Sequence, residues 1–370
     1  MILDELDGET RSILDRYGFD APLFDRLRAR VAEGALSSAG NIVDGNVEPP
    51  LAGDLTPLPE RGSAAWEEAR TTGVDALRRG QVAQVVLNGG MATRFGGVVK
   101  GLVPVVDGRG FLELKLDETA RLARELGAPV VTAVMTSFAT DEATRIFLGD
   151  GGGGGEHLLF SQFVSLRLRP DGALFRSKDG RPSLYGPGHG DVLDALRTSG
   201  ALDTLEARGV HHVQISNVDN LGARLDPVVV GAHVLAGREL TIETARKEGD
   251  MGGAPARVDG RPMLLEAYRF PPEFDQSQIP VFNTNTAWLT VEALRRRYEL
   301  TWLYVEKEVE GAPAVQLERL FHEVSATLPT TYLVVPRSGP HGRFFPIKTP
   351  EDLETSRAEL GEMLAHSPLD

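Results

Sequence analysis

Between Val85 and Gly101 the chain reads VVLNGGMATRFGGVVKG. A short apolar run stops at Asn88, and Gly89, Gly90, Gly96 and Gly97 then turn the chain. Glycine admits positive φ and lets backbone amides approach an anion without interference from a Cβ. Arg94 and Lys100 lie in the same turn, where they can neutralise phosphate charge. The stretch reads either as a phosphate-binding loop or as a glycine-rich surface turn carrying two cations. It matches neither G-x-G-x-x-G nor G-x-x-x-x-G-K followed by Ser or Thr, which counts against a nicotinamide-dinucleotide enzyme and a P-loop ATPase.

Four further stretches hold polar residues at places suited to chemistry. In ISNVDNLGARLD, Asn217, Asp219 and Asn220 directly follow an apolar strand. A carboxylate there suits a Mg²⁺ that bridges phosphates, because Mg²⁺ takes few protein oxygens and keeps water or phosphate ligands. The other reading makes Asp219 a turn or helix cap. In YGPGHGDVLDAL, Gly186, Gly188 and Gly190 flank His189. They permit close backbone contact with a flat ligand such as a base, or else they open a helix with Asp191 as its N-cap. In IPVFNTNTAWL, Asn283 and Asn285 end an apolar run, where their amides either read sugar hydroxyls or close an Asx turn. In GRFFPIKTPEDL, Lys348 precedes a helix start. His211 and His212 open a strand and, without a third ligand, read as structural or solvent-facing.

The elements that must position these residues follow from periodicity. Residues 1–80 read as a helical N-terminal segment, interrupted by the extended tract VEPPLAGDLTPLPERG and closed by a helix that Ser63 caps. From Gln81 the rhythm alternates strand, loop and helix. The runs VAQVVLN, APVVTAVMT, GVHHVQISNVDN and RELTIETAR read as buried strands, and FLELKLDETARLARELG and DEATRIFLG as helices. Gly151–Gly155 reads as a flexible loop. Residues 81–302 thus form an α/β core with a doubly wound, mostly parallel sheet, whose ligands belong outside the carboxyl ends of its strands. Residues 303–370 supply LERLFHEVSATL, the run TTYLVVP and a last helix, a C-terminal segment that closes the site.

Bulk properties bound the rest. A hydrophobic share of 41% over 370 residues is enough for a packed core. The absence of cysteine excludes disulfides, thiolate catalysis and cysteine-ligated zinc. A formal charge of -14 disfavours a nucleic-acid partner, while local cations and backbone amides can still hold a small anion. No run approaches the ~18 apolar residues of a membrane span. The start MILDELDGETRS lacks a basic and apolar leader, so a cytoplasmic protein without a membrane partner is expected.

In their order, LNGGMATRFGG, MTSFAT, GPGHGD, SNVDNLGARLDP, TARKEGDMGGAPARVDGRPMLLE, FNTNTAWL and RFFPIKTPEDL resemble the UDP-sugar pyrophosphorylase family. The resemblance runs from about Val82 to Leu353, and within the family it is greatest to the eukaryotic-type UTP–glucose-1-phosphate uridylyltransferases. It implies the nucleotide-diphospho-sugar transferase fold, Rossmann-like, with UTP and a sugar 1-phosphate as partners and Mg²⁺ as cofactor. It also implies residue roles. The backbone of Leu87, Asn88, Gly89 and Gly90 meets the nucleotide, Met135 and Gln162 lie against the uracil, and Gly188 contacts the base. His189 meets the sugar phosphate, Asn217 the substrate and Asp219 the metal, while Glu266, Asn283 and Asn285 read the sugar. Lys100, Lys348 and Arg94 stabilise charge on the phosphates. Ala92 and Val99 depart from the family's loop, where glycine and proline are usual; this keeps open a nucleotide-sugar sensor without turnover. Another hexose 1-phosphate is the other alternative. Eukaryotic relatives continue into a C-terminal β-helix used in assembly; without it, a monomer or small homo-oligomer is expected.

Overall fold

The computed structural model describes residues 1–92, 95–250, 252–345, 347 and 349–369. Its centre is one sheet of eight strands: β1 (Leu55–Pro57), β2 (Val82–Leu87), β3 (Val131–Thr136), β4 (Glu156–Ser161), β5 (His212–Asn217), β6 (Leu240–Arg246), β7 (Val281–Thr290) and β8 (Thr330–Val334). Their order across the sheet is β1-β8-β6-β7-β5-β2-β3-β4. Neighbours run parallel except where β7 pairs antiparallel with β5 and β6.

Period-two alternation decides which side each residue of a strand serves. In β2, Ala83, Val85 and Leu87 join a core with the helices Asp191–Thr198, Ala201–Ala207 and Val291–Arg295. Val82 and Val86 face the other way, toward the helices Ala64–Arg78, Phe111–Leu126, Pro227–Ala236 and Pro350–Ala365. All six residues of β2 and of β3 are buried, as expected of strands covered by helices on both faces. The doubly wound, mostly parallel α/β sheet is therefore present.

Several local readings change. Asn283 and Asn285 lie within β7, not at its end. A register shift between Glu243 and Thr244, with Asn285 at φ 58°, forms a bulge that lets the strand run past two polar side chains. In LERLFHEVSATL, Leu317 and Glu318 end a strand and Phe321–Ala326 forms a short 3₁₀ turn. Two hairpins were not evident from the periodicity: Ala254–Val258 with Arg261–Leu265, and Leu303–Val309 with Ala312–Glu318. The glycine run is a turn held to a helix, since Gly154 N–H donates to Asp117 Oδ1 at 3.0 Å. Among the described residues no helix is long and apolar enough to cross a membrane.

The N-terminal residues are built into this frame. The extended tract supplies the edge strand β1, parallel to β8. Ser63 accepts from Trp66 N–H at 3.1 Å and starts the helix Ala64–Arg78. That helix crosses Pro227–Ala236 at backbone contact. A Cβ on Gly73 would stand 1.8 Å from the Pro227 carbonyl oxygen, and one on Gly231 would stand 1.7 Å from that of Ala69. Helix propensity alone would make Gly73→Ala stabilising by ~1 kcal/mol. The crossing reverses the sign: Gly73→Ala is expected to destabilise the chain by about 1–3 kcal/mol in denaturant unfolding. Equal or higher stability would show that the helices can separate freely.

Candidate active site

A cavity of about 620 Å³ opens at the carboxyl ends of β2, β3 and β5. Leu87, Gly89, Gly90, Lys100, Met135, Gln162, Gly188, His189, Asn217 and Asp219, all expected from sequence, line it.

The phosphate side is set by strand register. β2 and β5 are level from Val82 beside His212 to Leu87 beside Asn217, so both chains leave the sheet together. Val218 N–H donates to the Leu87 carbonyl at 3.2 Å, and Asn88 N–H to that of Met135 at 2.8 Å. Beyond Gly90 the loop forms a small antiparallel hairpin, Met91 opposite Val99 and Ala92 opposite Val98. The two departures from the family loop, Ala92 and Val99, are its buried positions. Lys100 N–H donates to the Gly90 carbonyl at 3.1 Å, and its ammonium pairs with the Asp219 carboxylate. The hairpin and the strand end thus bring a cation and an anion from separate segments to one point. Asn88 contributes backbone only: its side chain is fully buried and donates to Thr144 Oγ1 at 3.1 Å. Arg94 and Lys348 lie outside the described residues.

Glycines at 186, 188 and 190 are required by the protein itself. A Cβ at Gly186 would meet the Gln162 amide at 2.0 Å, and one at Gly188 the Arg319 carbonyl oxygen at 2.4 Å. The helix cap is Gly190, not Asp191. Asp191 is fully buried, accepting from Phe163 N–H at 3.2 Å and from Arg319 at 2.7 Å, and burial pushes its carboxyl up to about 6. Its position inside the first turn follows from the tight passage of the glycines over Arg319.

His189 joins this cavity to a second polar cluster. Its Nδ1 accepts from Phe321 N–H at 3.3 Å, and burial pushes its pKa down to about 4, so the ring is neutral near pH 7. Ligand atoms of His189, Glu266 and His322 lie within 4.8 Å of one another. Burial pushes Glu266 up to about 7 and holds His322 well below the usual histidine range. Asn283 and Asn285 adjoin this cluster through the backbone: Asn283 N–H donates to the Gly253 carbonyl at 2.7 Å, and Gly253 lies against the Glu266 carboxylate. The two amides also satisfy each other, Asn283 Nδ2 donating to Asn285 Oδ1 at 3.0 Å. His322, Ser137, Gln316 and Glu318 were missed from sequence. The last two sit on the unforeseen hairpin, and His322 sits in a stretch whose amphipathic pattern singles out no residue.

Asn220 has a structural task. It donates to the Arg343 carbonyl at 3.1 Å and accepts from Phe345 N–H at 3.0 Å, tying the loop after β5 to the segment after β8. Arg343 is buried and forms a two-pronged pair with Glu243 at 2.6 and 2.9 Å, and Trp288 adds a third bond to Glu243 at 2.8 Å.

The raised Glu266 pKa has a consequence for stability. The folded state holds this proton between its unfolded value near 4.5 and about 7, while the unfolded chain has lost it. The contribution is full below about 4.5 and is lost as pH rises through 7. Buried neutral histidines act in the opposite sense, so the comparison must be with Glu266→Gln. The stability of the wild type relative to that variant is expected to fall from pH 5 to 7, by at most about 1.4 kcal/mol per pH unit. A difference that is flat or rising in urea titrations would mean that Glu266 is ionised in the fold.

The family model of UTP–glucose-1-phosphate uridylyltransferase matches residues 32–367. The potato UTP–glucose-1-phosphate uridylyltransferase is 30% identical over 291 residues, covering 74% of this chain and 60% of its own length. The Saccharomyces cerevisiae protein of that name is 31% identical over 317 residues, covering 76% and 60%. The chain therefore spans about three-fifths of the length of these relatives. Among solved structures, a UDP-glucose phosphorylase of Trypanosoma brucei superposes with a TM-score of 0.72 at 23% identity, covering 92% of this chain and 76% of its own. A uridine diphosphate N-acetylglucosamine pyrophosphorylase of the same organism gives 0.74 at 20%, covering 94% and 79%. At such identities these likenesses establish the fold, the one that the family resemblance implied.

Proposed function

Because the chain belongs to the UTP–glucose-1-phosphate uridylyltransferase family, we propose that it joins UTP to glucose 1-phosphate, giving UDP-glucose and pyrophosphate. The observation that carries this reading is the Lys100–Asp219 pair at the carboxyl ends of β2 and β5, in a cavity that glycine backbone and His189 also line. A phosphate oxygen of the sugar phosphate attacks the α-phosphorus of UTP in line. One P–O bond forms there as the bond to the β-phosphate breaks, and the electron pair leaves on pyrophosphate. The nucleophile is already an anion, so no general base is needed, and the protein's work is positioning and charge stabilisation.

Lys100 has the reach and charge to neutralise the phosphates. His189, kept neutral by burial, suits hydrogen bonding to the sugar phosphate rather than ion pairing. The donor set fits Mg²⁺: Asp219 offers one carboxylate at the cavity wall, and Mg²⁺ is commonly held by one or two carboxylates plus phosphate oxygens and water. When bound there, Mg²⁺ would neutralise charge on the polyphosphate. Asp219 now has Lys100 as its counter-ion. A polyphosphate that takes Lys100 leaves Asp219 unpaired unless a cation arrives with it.

The test is pyrophosphate release with four nucleoside triphosphates crossed with several sugar 1-phosphates, with and without Mg²⁺. The highest kcat/KM is expected for UTP with glucose 1-phosphate and Mg²⁺; no release from any pairing discards the reading. Lys100→Ala is expected to lower kcat by ~10²–10³, and an unchanged rate removes Lys100 from the mechanism.

A further inference from the structure

His322 is 1% exposed, and neither of its ring nitrogens has a hydrogen-bond partner among the described residues. Glu266 Oε1, beside it, is likewise buried without a partner. Buried polar atoms are nearly always satisfied, so three orphaned atoms in one cluster mark a place built for something else. That place adjoins His189, which lies in the cavity wall.

We propose that His322 and Glu266 together read the hydroxyl on the sugar carbon next to the phosphorylated one, making His322 a specificity residue for the sugar 1-phosphate. The inference rests on the proposed uridylyl transfer and on His189 facing the sugar phosphate. A group whose ligand atom lies within 4.8 Å of the one on His189 sits at the phosphate end of the sugar, where the hydroxyl beside C1 is the nearest one. The 4.8 Å limit leaves room for a bridging hydroxyl, because two hydrogen bonds of ~2.8 Å meeting at a tetrahedral angle span about 4.6 Å. The chemistry suits it as well. A neutral imidazole offers one donor and one acceptor, and a protonated carboxyl offers a donor, so a hydroxyl can be met on both its lone-pair and its proton side. Burial favours the neutral form of both groups. A pocket built to bond a hydroxyl rejects an analogue that lacks it, because its own buried groups then stay unpaired.

The test compares glucose 1-phosphate, 2-deoxyglucose 1-phosphate and N-acetylglucosamine 1-phosphate with saturating UTP, in the wild type, His322→Phe and His322→Gln. The wild type is expected to prefer glucose 1-phosphate over the 2-deoxy sugar by at least ~10²-fold in kcat/KM. His322→Phe should lower kcat/KM for glucose 1-phosphate by ~10–100-fold and collapse the discrimination against the 2-deoxy sugar, while the KM for UTP, measured separately at saturating glucose 1-phosphate, stays unchanged. His322→Gln, which keeps a donor and an acceptor, should restore part of it. A wild type that uses both sugars equally overturns the proposal, whether or not the variants fold. So does unchanged discrimination in a folded His322→Phe. Zinc retained at one equivalent after dialysis, and lost in His322→Phe, would overturn it in favour of a metal site. If the wild type turns over no sugar 1-phosphate at all, it is the transfer reading itself that fails.

Discussion

The parallel register of β2 and β5 is the constraint on which the site depends. Side chains alternate along a strand, so a slip of one residue would turn Asn217 and every other residue of β5 to the opposite face. Register is pinned from within. Gln84 and Gln214 stand level on the two strands, and Gln84 Nε2 donates to Gln214 Oε1 at 3.0 Å. Gln84 also donates to the Ala223 carbonyl at 3.2 Å, which takes a further bond from the buried Lys115 ammonium at 3.3 Å. A polar layer of this kind tolerates one arrangement only, since any slip would strand several buried donors at once. Lys100 and Asp219 meet because both chains leave the sheet at the same level.

A second constraint comes from the far half of the chain. The Glu243 carboxylate is completely buried and is held by Arg343 and Trp288. Removing one partner from such a pair commonly costs about 3–5 kcal/mol, because the remaining charge stays buried. Arg343 thereby fixes the segment after β8 to β6, and Asn220 fixes the same segment to the loop that carries Asp219. Ile347 then packs in one cluster with Val86 and Val218. Elements more than a hundred residues apart in sequence are thus held against the same strand ends.

What was legible in the sequence follows from how local each signal is. The strands β2 and β3 announce themselves because both faces are buried and every position can be apolar. The glycine loop and Asp219 are legible because they sit directly after such strands. The bulge in β7 was not, since Asn283 and Asn285 look like a strand end until pairing with β6 carries the strand past them. Asp191 reads as a cap by type, whereas its carboxylate serves Arg319, more than a hundred residues away. The reason for Gly188 was likewise hidden: the backbone it must clear belongs to Arg319. His322 has no local signature at all, because only the fold brings it to Glu266 and His189.

Buried atoms without partners occur in several parts of the described chain, and three of them fall in one cluster. Glu266 Oε1 and both nitrogens of His322 are buried without partners beside His189, which lines the cavity. The polar layer at Gln84 and the Glu243–Arg343 pair are, by contrast, bonded several times over. Sequences that fold well agree with themselves at every level except where function requires otherwise. The bonded networks rigidify the strands and the segments that lead out of them. The orphaned atoms then keep fixed positions, and fixed, desolvated polar atoms are what a site needs to tell one small polar ligand from another.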